Sequence, residues 1–129
     1  MERNLNLLEV RPSSIRNAGL GCFAGTVIPE GTIMGPYQGR HMTARQRARV
    51  NDGSYIWKID ENHFVDANRY EKNNPLRYVN GTKTPHQKKK TNCIVKFLGP
   101  EDKKEVYYMT TRTIPRGEEL LISYGKHYF

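Results

Sequence analysis

The sequence predicts a mainly β domain built from several small sheets, with one or two short helices. Two observations carry that expectation. Eleven glycines and seven prolines punctuate 129 residues at short intervals, as a domain of many small strands requires. Between them the apolar stretches are short and rich in β-branched and aromatic residues, and helix start and stop signals bracket only one segment.

Taken in order, residues 5–11 form a mostly apolar run that reads as a first strand. A polar turn at Pro12-Ser13-Ser14 separates it from a second, at residues 21–25. Residues 27–34 place the turn Pro29-Glu30-Gly31 between two β-branched stretches. Residues 43–50 read as the helix, with Thr43 as its N-cap and Asn51-Asp52-Gly53 as its stop. Residues 55–60 and 63–66 read as a hairpin about Glu61-Asn62. Two further strands, 92–98 and 105–111, flank the turn Gly99-Pro100-Glu101-Asp102. The polar segment 80–92 has no apolar period and reads as a loop, its lysine-rich part 83–90 as a disordered surface insert.

The length fits one domain, residues 1–129, with no internal repeat and no boundary. A mean hydropathy of -0.78 implies a lean core, while 10% aromatic residues argue against disorder. No apolar run approaches the roughly 18 residues of a membrane helix, and the first residues lack a signal-peptide layout. Both points lead us to expect an intracellular protein that makes no membrane contact. Cys22 and Cys93 are then expected as reduced, buried thiols. No Cys-x-x-Cys or His/Cys cluster is present, so no metal site is expected. The net charge of +8 collects around Arg40, Arg45, Arg47 and Arg49, and around Lys83, Lys88, Lys89 and Lys90. Such runs read as solvated loops, the alternative being contact with nucleic acid.

Several motifs follow one another along the chain. Ala18-Gly19-Leu20-Gly21-Cys22-Phe23-Ala24 is followed by Gly35-Pro36-Tyr37-Gln38-Gly39, then by Ser54-Tyr55-Ile56-Trp57 and Phe64-Val65-Asp66-Ala67. Asn74-Pro75-Leu76-Arg77-Tyr78-Val79-Asn80 comes next, and the chain closes on Gly117-Glu118-Glu119-Leu120-Leu121-Ile122-Ser123-Tyr124-Gly125. Together, from about Leu8 to Tyr128, they resemble a SET domain of the PR variety, the protein-lysine methyltransferase fold. The resemblance implies several small sheets and a pseudoknot-like C-terminal segment. It also implies S-adenosyl-L-methionine as cofactor and a histone tail or another lysine-bearing protein as substrate. Without the family's zinc-binding flanking modules, the chain reads as the bare domain. A nuclear site of action, nucleosomal DNA contact through the basic loops and a homodimer are further expectations of this kind.

Residue by residue, the resemblance casts Tyr124, Tyr37 and Tyr55 as the catalytic wall. Gly19, Leu20, Gly21, Tyr55, Arg77, Asn80, Gly81, Tyr124 and Tyr128 are cast around the cofactor, with Arg77 alternatively a buried structural cation. Tyrosines suit such a wall because their rings exclude water while their hydroxyls orient an amine. Glu61, Asp66, Glu118 and Glu119 are candidate acids for a groove that takes a basic peptide. Ile122, two residues before Tyr124, has no hydroxyl to hold a water, which implies transfer of two or three methyl groups. One departure stands out: Gly81-Thr82-Lys83 replaces the family's His-Ser-Cys. Two outcomes therefore stay open, an active enzyme or a PR-like domain that lost turnover and acts through protein contacts.

Overall fold

A computed structural model describes residues 2–123 of the chain. Among the described residues there are three sheets. The first pairs β1 (Leu8–Pro12) antiparallel with β2 (Leu20–Ala24), Val10 opposite Cys22. The two-residue strand β3 (Ile33–Met34) belongs to the largest sheet. The third sheet sets β6 (His63–Asp66) between β4 (Arg40–Met42) and β5 (Ile56–Asp60).

In the five-stranded sheet the order is β3, β9 (Glu105–Thr110), β8 (Cys93–Leu98), β10 (Leu121–Ile122) and β7 (Asn80–Gly81). Its long hairpin, β8 with β9, is antiparallel. β10 lies parallel to both β7 and β8. Since β7 and β8 follow one another in the chain, residues 82–92 arch across the end of β10. The C-terminal segment is thus threaded beneath a loop, an arrangement that few folds adopt. This is the expected pseudoknot-like segment. Asn92, fully buried, locks it: its Nδ2 donates to the Glu119 carbonyl (2.9 Å), and its Oδ1 accepts from the Leu121 amide (2.8 Å).

Both short helices begin with a capping box. In α1 (Ala44–Arg47) the Thr43 hydroxyl accepts from the Gln46 amide while the Gln46 side chain accepts from the Thr43 amide. The helix α2 (Pro85–Lys88) repeats this with Thr84 and Gln87, adding Pro85 in its first turn. Residues 83–90 are therefore not the unstructured insert that their polarity suggested. Local capping bonds order them without any apolar face. Residues 5–7 likewise depart from expectation, forming a 3-10 turn (Leu5–Leu7) ahead of β1.

The main core holds Ile28, Met34, Leu76, Ile114, Leu120 and Ile122 around Trp57 and Tyr108. Trp57 Nε1 donates to the Tyr108 hydroxyl at 2.9 Å, satisfying both polar atoms inside an apolar interior. Cys22 and Cys93 are free and buried. Burial pushes both thiols up from their ordinary value, Cys93 to about 12, so neither is a ready nucleophile.

Candidate functional site

A cavity of about 490 Å³ opens beside the threaded segment, lined by Ile15, Arg16, Asn17 and Ala18, by Asn80 and Gly81, and by Lys83, Thr84 and Gln87. The first wall is the loop between β1 and β2. It closes on itself through the Ser13 amide and the Gly19 carbonyl, 2.8 Å apart. Two residues carry positive φ, Asn17 at 65° and Gly19 at 70°. A Cβ on Gly19 would meet nothing within 4 Å, so glycine serves the backbone conformation there, not the space.

Glu119 holds this wall against the rest. Its carboxylate accepts from the Ser13 hydroxyl (2.7 Å), the Ser14 amide (2.9 Å) and the Ser14 hydroxyl (2.6 Å). On its other side Asn80 Nδ2 donates to Glu119 Oε2 at 3.4 Å and to the Leu20 carbonyl at 3.1 Å. A buried carboxylate is tolerated only with such a set of donors. One acid thus fixes the loop, the strand β2 and the amide that faces the cavity. Gly21 completes the node: a Cβ there would collide with the Glu119 carboxylate and lie 3.1 Å from Ser13 Cβ. Its missing side chain makes room for Glu119.

The second wall is β7, with Asn80 and Gly81 pairing with Leu121 and Ile122. The third wall belongs to the insert, where Gln87 Oε1 also accepts from the Lys83 amide at 2.9 Å.

Other expected site residues cluster elsewhere. The Tyr37 hydroxyl donates to the Tyr55 carbonyl at 2.8 Å, and the Tyr37 ring stacks on Tyr108, centroids 6.0 Å apart. Tyr37 is 4% exposed and so sits in the core, whereas Tyr55 is half-buried at its edge. The Arg77 guanidinium lies 3.8 Å from the Tyr55 ring centroid and donates through Nε to the Ala67 carbonyl (3.0 Å). With its side chain 10% exposed, Arg77 acts as the structural cation, fixing Tyr55 to the turn after β6. It does not line the cavity. Tyr124, Gly125 and Tyr128 lie outside the described residues.

The four candidate acids do not form one groove. Glu119 is consumed by the node, and Glu118 accepts from Asn92 (3.0 Å) and pairs with Arg112 (2.8 Å). Asp66 accepts the Asn68 amide at 2.9 Å, and Glu61 reaches back to Lys58 at 3.0 Å. Internal donors occupy Glu118, Glu119 and Asp66, whereas Glu61 stays exposed in a surface pair with Lys58. Ile122 is fully buried in the core, so it faces packed side chains, not open space.

Sequence reasoning missed Ser13, Ser14, Thr84, Gln87 and the structural role of Glu119. For Thr84 and Gln87 the Thr-x-x-Gln spacing was the available signal. For Glu119 there was none, since nothing local marks which carboxylate the chain will bury.

Comparison with known proteins agrees with this geometry. Residues 8–129 match the family described as PR domain zinc finger protein 2, PR domain. Histone-lysine N-methyltransferase set-17 of Caenorhabditis elegans is 30% identical over 95% of this chain and 42% of its own length. PR domain zinc finger protein 14 of Mus musculus is 30% identical over 84% of this chain and 18% of its own. The chain thus spans less than half of either relative. The solved methyltransferase domain of human PR domain-containing protein 2 superposes with a TM-score of 0.69 at 28% identity, covering 90% of this chain and 75% of that one. The structure of ctPRC2 bound to S-adenosylmethionine gives a TM-score of 0.76 at 22% identity, over 99% of this chain and 16% of that one, a likeness of fold. With the threaded strand, the three small sheets and this match along nearly its whole length, the chain belongs to the PR-domain family and has the SET-domain fold.

Proposed function

We propose that this domain is an S-adenosylmethionine-dependent protein-lysine N-methyltransferase acting on a histone tail in the nucleus. The observation that supports this most is the cavity itself. Its volume of about 490 Å³ suits a cofactor site. Its walls combine residues 15–18, the part of the loop that leads into Gly19-Leu20-Gly21, with Asn80 and Gly81, and the resemblance puts the cofactor at these two motifs. Gly81 adds no side chain to the space, and Asn80 is oriented by Leu20 and Glu119, so the residues present fit the group. The named relatives and the fold support the same reading.

S-adenosylmethionine, when bound, supplies a methyl group carried on a sulfonium. The protein's part is positioning and desolvation. Aligning the reacting atoms is worth on the order of 7–11 kcal/mol. The substrate amine must also lose its proton, which for free lysine at pH 7 costs roughly 4.6 kcal/mol. In this reading the rings of Tyr55 and Tyr124 exclude water and lower that cost by burial. Tyr37, through its bond to the Tyr55 carbonyl, holds Tyr55 in place from beneath. Arg77 holds the same ring from its face.

The test is radiolabelled methyl transfer to histones by wild type and Tyr124→Phe. The variant removes one hydroxyl and keeps the ring, so transfer falls at least tenfold while the melting temperature holds. Equal rates would remove Tyr124 from the reaction. A second reading, a PR-like interaction module without turnover, is favoured by Gly81-Thr82-Lys83 standing in place of His-Ser-Cys. Absence of transfer by well-folded wild type would select it. A homodimer belongs to either reading and would appear as a doubled mass in sedimentation.

A further inference from the structure

The net charge of +8 is not spread over the chain. From Lys72 to Pro100 there are seven Lys or Arg and no Asp or Glu, while the rest of the chain carries fourteen against thirteen. The stretch that contains α2 is thus the larger of two uncompensated basic runs, the other being residues 31–51 with four Arg and no acid. Within it Lys83, Lys88, Lys89 and Lys90 are all exposed. None of the four has an acidic partner among the described residues, where the ion pairs join other cations.

These lysines stand on an ordered platform. The Thr84–Gln87 capping box shapes the turn, and the Thr82 and Thr91 hydroxyls, 3.0 Å apart, join its two ends. The Thr82 amide bonds to Ile122 and the Asn92 amide to Leu121, so the base of the turn is fixed to the threaded strand. A set of cations held this way loses less freedom on meeting an anion than the same lysines on a loose chain.

We propose that the α2 turn is a docking surface for the phosphate backbone of duplex DNA. The side chains from Thr82 to Asn92 select among anionic partners. Apart from Pro85 none is apolar, so the turn has no face to insert into a membrane. None is a Phe, Tyr or Trp, so it offers no platform for stacking unpaired bases. Closely spaced lysines without aromatic neighbours fit sequence-independent phosphate contact. The turn also lines the cavity through Lys83, Thr84 and Gln87, so a bound duplex lies beside the candidate site. This inference concerns binding alone and does not depend on methyl transfer.

Fluorescence anisotropy of a labelled 20-base-pair duplex, titrated at several KCl concentrations, tests it without cofactor or substrate. For about four phosphate contacts, log K falls against log salt with a slope of about −3 to −4. Lys88→Gln, Lys89→Gln and Lys90→Gln combined weaken binding at least tenfold and flatten the slope by about 2 to 3. The matched control, Arg40→Gln, Arg45→Gln and Arg49→Gln combined, removes as much charge elsewhere and stays within about twofold. Equal loss in both variants would reduce the effect to net charge and overturn the proposal. So would failure of wild type to bind the duplex, tighter binding of a single strand of the same length, or binding only to phosphatidylserine vesicles.

Discussion

The two sides of the cavity are built on opposite principles. On one side the 13–19 loop is tied to Glu119 by three hydrogen bonds, with Asn80 closing the same carboxylate from behind. On the other, the α2 turn is held by its own capping box and by its ends, and its lysines face solvent. A wall built on a buried charge cannot change without costing stability. A wall built from local caps can change its side chains freely, and so can diversify what it binds.

That contrast predicts a graded set of outcomes. Glu119→Ala strips four donors of their acceptor, and charge-assisted bonds of this kind are worth about 1.5–3 kcal/mol each, though not additively. We expect a loss of about 4 kcal/mol in urea unfolding, the largest of the series. A loss below about 1 kcal/mol would mean that the node is not what joins the loop to β10. Gly21→Val forces a side chain into the Glu119 carboxylate, and overpacking of this kind costs about 1–3 kcal/mol. Thermal unfolding should show it plainly, because Gly21 is a packing position and its substitution harms the fold before it harms a ligand. A wild-type melting temperature would return Gly21 to the cavity surface. At the small end, the combined Lys88, Lys89 and Lys90 change to glutamine should alter stability by less than about 0.5 kcal/mol. A larger drop would show that the turn bears on the threaded strand through more than its ends.

The hairpin 55–66, the long hairpin about Gly99 and the Thr43 cap were legible because each is local: alternation, turn residues and a cap within a few positions. The PR-type motifs further gave the threaded strand by resemblance. The insert was misread although Thr84-Pro85-His86-Gln87 has the same box spacing as Thr43-Ala44-Arg45-Gln46. The lysines around it look like disorder, and a single capped turn has no apolar period to betray it. The candidate site was legible only as a set of motifs. Asn80 and Gly81, which the motif singles out, line the cavity, and Tyr37 and Arg77 both contact Tyr55 away from it. Glu119 illustrates the limit: its partners Ser13 and Ser14 lie 106 and 105 positions away, and only the fold brings them together.

Isothermal titration calorimetry with S-adenosylmethionine shows whether this cavity takes the cofactor. Wild type should bind with a stoichiometry near one. Asn80→Leu should bind at least tenfold more weakly, a change of about 1.4 kcal/mol, while remaining folded with a stability lowered by about 1–3 kcal/mol, the cost of one donor lost to the Glu119 carboxylate. Absence of binding by folded wild type, or undiminished affinity in the variant, would contradict the assignment of this cavity to the cofactor.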